Sequence, residues 1–159
     1  MFDIGETIVY PMYGAGVVEA IEIEEVDGAE IKHYVIRIPN GNLKIKVGAS
    51  KADRVGIRKI LPKEKVIESI KKVASVPVVI QSNWNLRYKE NLEKIKRGTL
   101  EGVAEVARAL CLRERRRGLS GAEKKMLNNA RQIVLSEVIF SCKIEKNKAE
   151  EYLAKELFC

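Results

Sequence analysis

The hydrophobic pattern of this 159-residue chain changes its period near residue 60, and this change constrains the fold more than any single motif. Before it, apolar and polar residues alternate, as in Ile21–Glu24 and Leu43–Val47, which is typical of half-buried strands. After it, apolar residues recur every three or four positions, which is typical of amphipathic helices. The sequence therefore predicts an α+β protein with two domains, residues 1–60 and 62–159, joined at about Lys59–Pro62.

The first domain reads as a set of short strands joined by tight turns. The dipeptides Asp27-Gly28 and Asn40-Gly41 favour hairpins. Strands of this length with such turns predict a small, strongly bent antiparallel β-barrel. A core of about 60 residues is marginal by itself, so we expect the sheet to pack against the second domain as well. The four runs of branched and aromatic residues are Thr7–Tyr10, Val17–Val26, Ile31–Ile38 and Leu43–Val47.

The second domain is divided into helices by residues that favour helix ends. Pro62 suits the first turn of one helix, and Ser120 with Glu123 forms a capping box that opens another. A last helix is predicted over Lys148–Leu157. The remaining ends pair a residue that favours an N-cap with a glycine that favours a C-cap: Asn83 with Gly98, and Thr99 with Gly118.

Positive charge is concentrated in the helical domain. The chain has 29 basic and 22 acidic residues, a net charge of +7. Before Val76 there are 12 basic and 11 acidic residues, whereas from Val76 onward there are 17 basic and 11 acidic. This excess of positive charge favours an anionic partner. Nucleic acid is the first candidate, and an anionic membrane surface is the second. Any one basic run is equally explained as a solvated helix face. The runs lie within Arg87–Arg97, Arg113–Arg117 and Lys124–Arg131.

Several classes of protein are disfavoured by what the chain lacks. It has no apolar run long enough to span a bilayer and no secretory signal. Gly14–Gly16 lacks the third glycine of a dinucleotide fingerprint and precedes a strand rather than a helix. We therefore expect a cytoplasmic protein that is not an enzyme, with no cofactor and no small-molecule substrate. The single histidine, His33, is far from the three cysteines, so no metal site is expected either. We expect these thiols to be small buried groups in a reducing compartment: Cys111, Cys142 and Cys159.

Trp84, the single tryptophan, lies in the first turn of a predicted helix on the same face as Tyr88 and Leu92. One interpretation is that the indole fills the helical core. The other is that it is exposed where the core face ends, beside Arg87 and Lys89, and acts as an apolar wedge against a base step in the minor groove. The pattern alone leaves both open.

Two groups of motifs, one in each domain, resemble those of a known family. In the first domain they are Gly5–Pro11 and Tyr13–Val18; in the second they are Asn83-Trp84, Arg87-Tyr88-Lys89 and Arg117–Ser120 followed by Glu123, Met126-Leu127 and Ala130-Arg131. The chain resembles bacterial transcription regulators of the CarD/CdnL type, whose N-terminal module is shared with the transcription-repair coupling factor. Glu6 and Tyr13 depart from the family pattern, in which aspartate and histidine are common. Both departures leave the DNA-facing motif intact.

The resemblance implies that the two domains have different partners. The first would be a Tudor-like barrel that docks on the β subunit of RNA polymerase, which brings the protein to the nucleoid. The second would reach promoter DNA at the upstream edge of the transcription bubble. There Trp84 would wedge into the minor groove and oppose bubble collapse, so that the open promoter complex lasts longer.

The resemblance also assigns roles to charged residues. It implies that Arg87 and Lys89 contact phosphates or sugars, and that Lys124 and Lys125 are weaker candidates for contacts to the DNA backbone.

On the β side, Lys44 and Lys46 point to one face of a single strand, and Lys46 lies where the family contacts polymerase. An exposed strand of this kind also favours edge-to-edge pairing with the partner. These two residues are equally explained as ordinary solvent-exposed lysines.

Two other functions stay open at this point. The chain is also consistent with a protein-docking module whose helices form a scaffold that does not bind DNA, and with an unrecognised nucleic-acid enzyme. If Trp84 is a wedge, it makes no hydrogen bonds to base edges, so we expect a weak sequence preference with a bias toward easily unstacked steps.

Overall fold

The change of period near residue 60 separates strands from helices in the computed structural model, which describes residues 1–158. The predicted α+β class is confirmed. The prediction for Cys159 and the last residue of the second predicted domain lie outside the described residues. The elements are β1 (Thr7–Tyr10), β2 (Gly14–Val26), β3 (Ala29–Ile38), β4 (Leu43–Gly48), α1 (Ala49–Val55), β5 (Arg58–Lys59), α2 (Lys63–Ser75), α3 (Trp84–Arg97), α4 (Leu100–Arg117), α5 (Gly121–Cys142) and α6 (Lys146–Glu156).

The strands form one antiparallel sheet in the order β4-β3-β2-β1-β5. The predicted small antiparallel barrel is an open sheet, because among residues 1–158 no ladder joins β4 to β5. The reason lies in the chain between these two strands. It forms α1 instead of another strand, and β5, with two residues, is too short to reach across the sheet. β4 therefore stays an outer strand with one unpaired edge.

Two turns set the register of the sheet. Asp27 and Gly28 both adopt positive φ, 51° and 79°, as the tight turn between β2 and β3 requires. In the next turn the left-handed residues are Gly41 and Asn42, and the Asn42 N–H donates to the Pro39 carbonyl at 2.9 Å. The turn is where Asn40-Gly41 predicted it, shifted by one residue.

The hydrophobic residues are buried in two clusters. One lies between the sheet and α1 and includes Ile8, Tyr34 and Ile36. The other lies among the helices and includes Leu110 and Val134. α5 crosses from one cluster to the other, because it packs on α4 and α6 and also on β2. We call residues 1–60 the β module and residues 62–158 the helical module.

The starts of α3, α4 and α5 follow the predicted caps, whereas Pro62 is the N-cap of α2 rather than part of its first turn, and α6 begins two residues before the predicted Lys148. Asn83 accepts from the Leu86 N–H at 3.0 Å, and Thr99 accepts from the Gly102 N–H at 3.1 Å. Ser120 accepts from the Glu123 N–H at 3.2 Å and so opens α5 as expected. The Glu123 carboxylate accepts from the Ser120 hydroxyl at 3.4 Å and also binds Arg87.

Two further predictions concern the burial of the cysteines and the lack of a membrane-spanning segment. Cys111 is buried, as predicted, whereas Cys142 is only partly buried. Between residues 1 and 158, no helix is both long enough and apolar enough to cross a membrane.

Candidate nucleic-acid interface

The indole of Trp84 lies at the start of α3 and is held without being enclosed. Its ring stacks on Tyr88, with ring centroids 5.1 Å apart and an interplanar angle of 13°. Its Nε1–H donates to the Ser120 hydroxyl at 3.1 Å, which ties it to the start of α5. The side chain nevertheless remains 41% exposed. The indole ring therefore has a fixed position and a partly exposed flat surface, and it does not simply fill the helical core.

Arg87 lies one turn along the same helix and is buried. Its Nε and Nη2 donate to the two carboxylate oxygens of Glu123 at 2.7 and 3.0 Å. Its Nη1 donates to the carbonyls of Gln81 and Ser82 at 2.9 and 3.3 Å. The Arg87 and Glu123 side chains are only 5% and 1% exposed. These hydrogen bonds raise the pKa of Arg87 and lower the pKa of Glu123, so both groups stay charged.

This geometry corrects the role expected for Arg87. Every nitrogen of the guanidinium already has a partner, and burial removes the group from contact with a phosphate. Arg87 instead joins α3 to α5 and anchors the segment that precedes Trp84. Its contribution to the site is to hold the tryptophan in place.

A cleft lined by arginines lies beside this ion pair. It has a volume of about 300 Å³ and is lined by Ile80, Ser82, Arg113, Arg116 and Arg117. Arg116 and Arg117 are exposed, and within residues 1–158 no carboxylate is paired with any of the three arginines. The positive charge of Arg113 also helps to lower the pKa of Glu123. This cleft supplies the accessible cations that Arg87 does not.

The other predicted DNA contacts are exposed lysines. Lys125 lines a groove of about 570 Å³ together with Tyr88, the residue on which Trp84 stacks. Lys89 and Lys124 are exposed on α3 and α5 but line neither this groove nor the arginine cleft. In the part of the chain that the structure describes, none of the three lysines is in an ion pair. Of the three lysines, Lys125 is thus the one that shares a groove with Tyr88.

Lys44 and Lys46 share one face of the outer strand β4, as the alternation predicted. Lys44 lies 3.1 Å from Glu19, and Lys46 lies 2.9 Å from Glu22 and 3.2 Å from Glu24. The contact with Glu22 raises the pKa of Lys46 and lowers that of Glu22. Both lysines remain exposed beside an unpaired strand edge, in a network of opposite charges.

The sequence analysis named Arg87 and Glu123 but did not predict that they pair with each other, although a signal for this pairing exists. Glu123 lies on the same buried face of α5 as Met126, Leu127 and Ala130. A carboxylate buried there costs free energy unless a cation pairs with it. Arg87 lies on the buried side of α3, so its guanidinium likewise needs a partner of opposite charge. A charged residue within an apolar stripe indicates a buried partner, but it does not indicate which one.

Comparisons with known proteins match both modules. Residues 2–61 match the family model described as "CarD-like/TRCF RID domain", an RNA polymerase-interacting domain, and residues 65–154 match "CarD, C-terminal domain". The chain is 37% identical over 142 residues to the "Putative transcription factor YdeB" of Bacillus subtilis, which covers 87% of this chain and 90% of that protein.

A solved structure is also similar in part. It is the solution NMR structure of the 72-residue N-terminal domain of Myxococcus xanthus CarD, with 29% identity. The match covers 37% of this chain and 79% of that one, and its TM-score of 0.31 adds nothing to the assignment. The two family models and the Bacillus relative are sufficient by themselves: the chain belongs to the CarD-like family of transcription regulators.

Proposed function

We propose that this protein stabilises the open promoter complex by docking its β module on the β subunit of RNA polymerase and placing Trp84 in the minor groove at the upstream edge of the bubble. In this proposal the two roles belong to the domains expected at residues 1–60 and 62–159, and the protein acts in the cytoplasm at the nucleoid. It regulates transcription through binding alone, with no reaction of its own.

The observation that carries the proposal is the state of the Trp84 ring. Stacking on Tyr88 and the hydrogen bond to Ser120 fix its orientation, yet 41% of the side chain is free to contact a partner. A pre-positioned ring loses little conformational entropy when it binds. Such a ring is suited to insertion beside an unstacked base step, which is how apolar wedges act in the minor groove.

The surrounding cations support a nucleic-acid partner. The lining of the arginine cleft includes Ser82, two residues before the tryptophan, and Lys125 lines the groove next to Tyr88. We assign phosphate contacts to Arg116, Arg117 and Lys125, with Lys89 and Lys124 as outer contacts. None of these requires a particular base, so the proposal includes a weak sequence preference.

The energy needed is small enough for one aromatic ring. A tenfold change in the ratio of open to closed complex requires about 1.4 kcal/mol. Stacking of one base on an aromatic side chain is worth about 1–3 kcal/mol. The wedge is therefore adequate if docking of the β module delivers it to the right place.

The docking surface is assigned to the outer strand β4 and its lysines. β4 has an unpaired edge that can accept a strand of the partner, and Lys44 and Lys46 lie next to that edge. In this proposal the lysines orient the partner, and backbone pairing along β4 supplies contact area.

The test is the lifetime of open promoter complexes with Trp84→Ala. We expect the lifetime to fall several-fold toward the value without the protein, while capture of RNA polymerase is unchanged because β4 is intact. Trp84→Phe keeps a flat ring and should retain part of the effect. Val79→Ala is the matched control, because Val79 is an exposed apolar residue just before α3.

An unchanged lifetime with Trp84→Ala would contradict the wedge. Together with retained polymerase capture, that result would favour a docking module whose helices do not bind DNA. Turnover of a nucleic-acid substrate by the purified chain would contradict the non-enzymatic role.

A further inference from the structure

The junction between the two modules is built from polar contacts that converge on α5. Glu137, whose side chain is 1% exposed, receives hydrogen bonds from Arg58 Nη1 and Nη2 at 2.8 and 2.6 Å. Ser136, the preceding residue, accepts from the Ala15 N–H at 2.9 Å. α5 of the helical module thus binds both β5 and the start of β2.

The linker is held by the same helix. The Leu61 N–H donates to the Glu137 carboxylate at 3.2 Å, and the Leu61 carbonyl accepts from the Ser141 hydroxyl. Both backbone groups of this linker residue are therefore occupied. A segment whose hydrogen bonds are fixed in this way does not act as a free hinge.

The helix that carries Trp84 is fixed at its opposite end by the same arginine. Arg58 Nε donates to the carbonyl of Gly98, the residue that ends α3, at 3.1 Å. Gly98 also lies against Pro11, so closely that an added Cβ would be 2.9 Å from the proline ring. One guanidinium therefore contacts the β module, α5 and the end of α3.

The other end of α3 is joined to α5 by the ion pair between Arg87 and Glu123. α3 is thus held at its first turn and at its last residue. With 14 residues it is about 21 Å long. A tilt of about 10° at the Gly98 end would move the indole by about 4 Å, which exceeds the spacing of about 3.4 Å between bases on one strand.

We propose that Arg58 and Glu137 are positioning residues that lock the two modules into one rigid body, so that Trp84 is held at a fixed distance and angle from β4. This inference rests on the proposed function for its effect on transcription. The charged pair suits the role because a bidentate arginine–carboxylate contact fixes direction as well as distance.

The test uses the full chain with Glu137→Gln, which removes the buried charge and leaves Arg58 free to turn to solvent. Arg58→Lys is the second variant, because it keeps a positive charge near the carboxylate but loses the two-pronged contact. Glu105→Gln is the matched control: it makes the same chemical change at an exposed pair, in which Lys94 lies 2.9 Å away.

The direct measurement is amide ¹⁵N relaxation, which reports how each module tumbles. We expect one rotational correlation time for both modules in the parent chain and in Glu105→Gln. We expect two shorter, separate values in Glu137→Gln, and an intermediate result in Arg58→Lys. A single shared value in both variants would overturn the proposal.

The functional measurement is the open-complex lifetime with the same proteins. We expect Glu137→Gln to shorten it several-fold, toward the value for Trp84→Ala, while polymerase capture stays intact. Uncoupled modules with an unchanged lifetime would overturn the positioning role, and loss of polymerase capture would show that the variant damages the β module instead.

The two proposals fail in different ways. If Trp84→Ala leaves the lifetime unchanged, the proposed function is wrong, and the relaxation measurement alone decides whether the modules are locked. If Trp84→Ala shortens the lifetime and Glu137→Gln does not, the proposed insertion of Trp84 is supported and the positioning role of Arg58 and Glu137 is wrong.

Discussion

Each module contains a close pair of opposite charges, and the two pairs lie in opposite surroundings. In the helical module, Arg87 and Glu123 are 2.7 Å apart with side chains 5% and 1% exposed. In the β module, Lys46 and Glu22 are 2.9 Å apart with side chains 44% and 51% exposed. The distances are alike, but the pairs differ in burial and in the cation, because the Arg87 guanidinium makes a two-pronged contact and the Lys46 ammonium does not. The buried pair holds an aromatic ring in place, whereas the exposed pair leaves its lysine free to exchange partners.

This difference shows why a basic residue in a recognised motif is not necessarily a ligand contact. An exposed ion pair is weak because water and salt screen it, so its lysine can release a glutamate and bind another anion. A buried ion pair cannot be released without leaving a charge unpaired in a place that water does not reach. Arg87 and Lys46 were both expected to bind a partner; the Arg87 side chain is buried against Glu123, whereas the Lys46 side chain is exposed.

The largest expected effect is loss of stability when the buried pair is broken. Arg87→Ala leaves the Glu123 carboxylate without its cation, which should lower the free energy of unfolding by about 3–5 kcal/mol. Lys94→Ala breaks an exposed pair with Glu105 and should cost only about 0.2–1 kcal/mol. Urea denaturation measures both. Equal losses in the two variants would show that burial does not distinguish the pairs.

The second effect is a dependence of stability on pH that belongs to Glu123. Arg87 lowers the pKa of this carboxyl below its ordinary value of 4.5, so the unfolded chain binds the proton more tightly than the folded chain. The stabilisation is therefore complete above that ordinary value and is lost as the pH falls through the lowered folded pKa. Glu123→Gln should flatten the curve of unfolding free energy between about pH 6 and pH 2.

The matched variant for this measurement is Glu22→Gln. Lys46 also lowers the pKa of Glu22, but about half of this side chain is exposed to solvent, so its curve should stay close to that of the parent protein. A flattening as large as that of Glu123→Gln would contradict the distinction between buried and exposed pairs.

A smaller effect concerns the cations that remain free in the helical module. Removing one side chain that neutralises a phosphate should reduce the slope of log K against log salt concentration by about 0.9. We therefore expect Arg116→Ala to lower the slope for binding to bubble-containing promoter DNA by about this amount. Fluorescence anisotropy at several salt concentrations measures it. Trp84→Phe should weaken binding with no change of slope, and an unchanged slope in Arg116→Ala would remove this arginine from the interface.

The smallest structural effect is expected at Lys46. Lys46→Glu reverses a charge on the outer strand and places a third carboxylate beside Glu22 and Glu24, so capture of RNA polymerase should weaken. The thermal unfolding curve should not shift measurably, because the side chain is exposed. Lys51→Glu on α1 is the control with the same change of charge. Full retention of capture by Lys46→Glu would mean that the polymerase docks elsewhere.

The amino-acid sequence by itself determined the features that depend on neighbouring residues. The division near residue 60, the four main strands and the starts of α3, α4 and α5 follow from periodicity and from caps such as Asn83, Thr99 and Ser120. These signals are local, because a cap bonds within one helical turn and a strand alternates with a period of two. The position of Trp84 at a helix start was predictable for the same reason.

Tertiary structure alone decided which partners these elements find. The sheet is open because the chain after β4 folds into α1, and no local pattern between residues 49 and 55 excluded another strand. Arg87 binds a carboxylate 36 residues away, and Arg58 binds one 79 residues away. Any of several acidic residues could satisfy either arginine by sequence alone. The choice depends on which helices pack together, because the strength of a charge pair is set by the burial that packing creates.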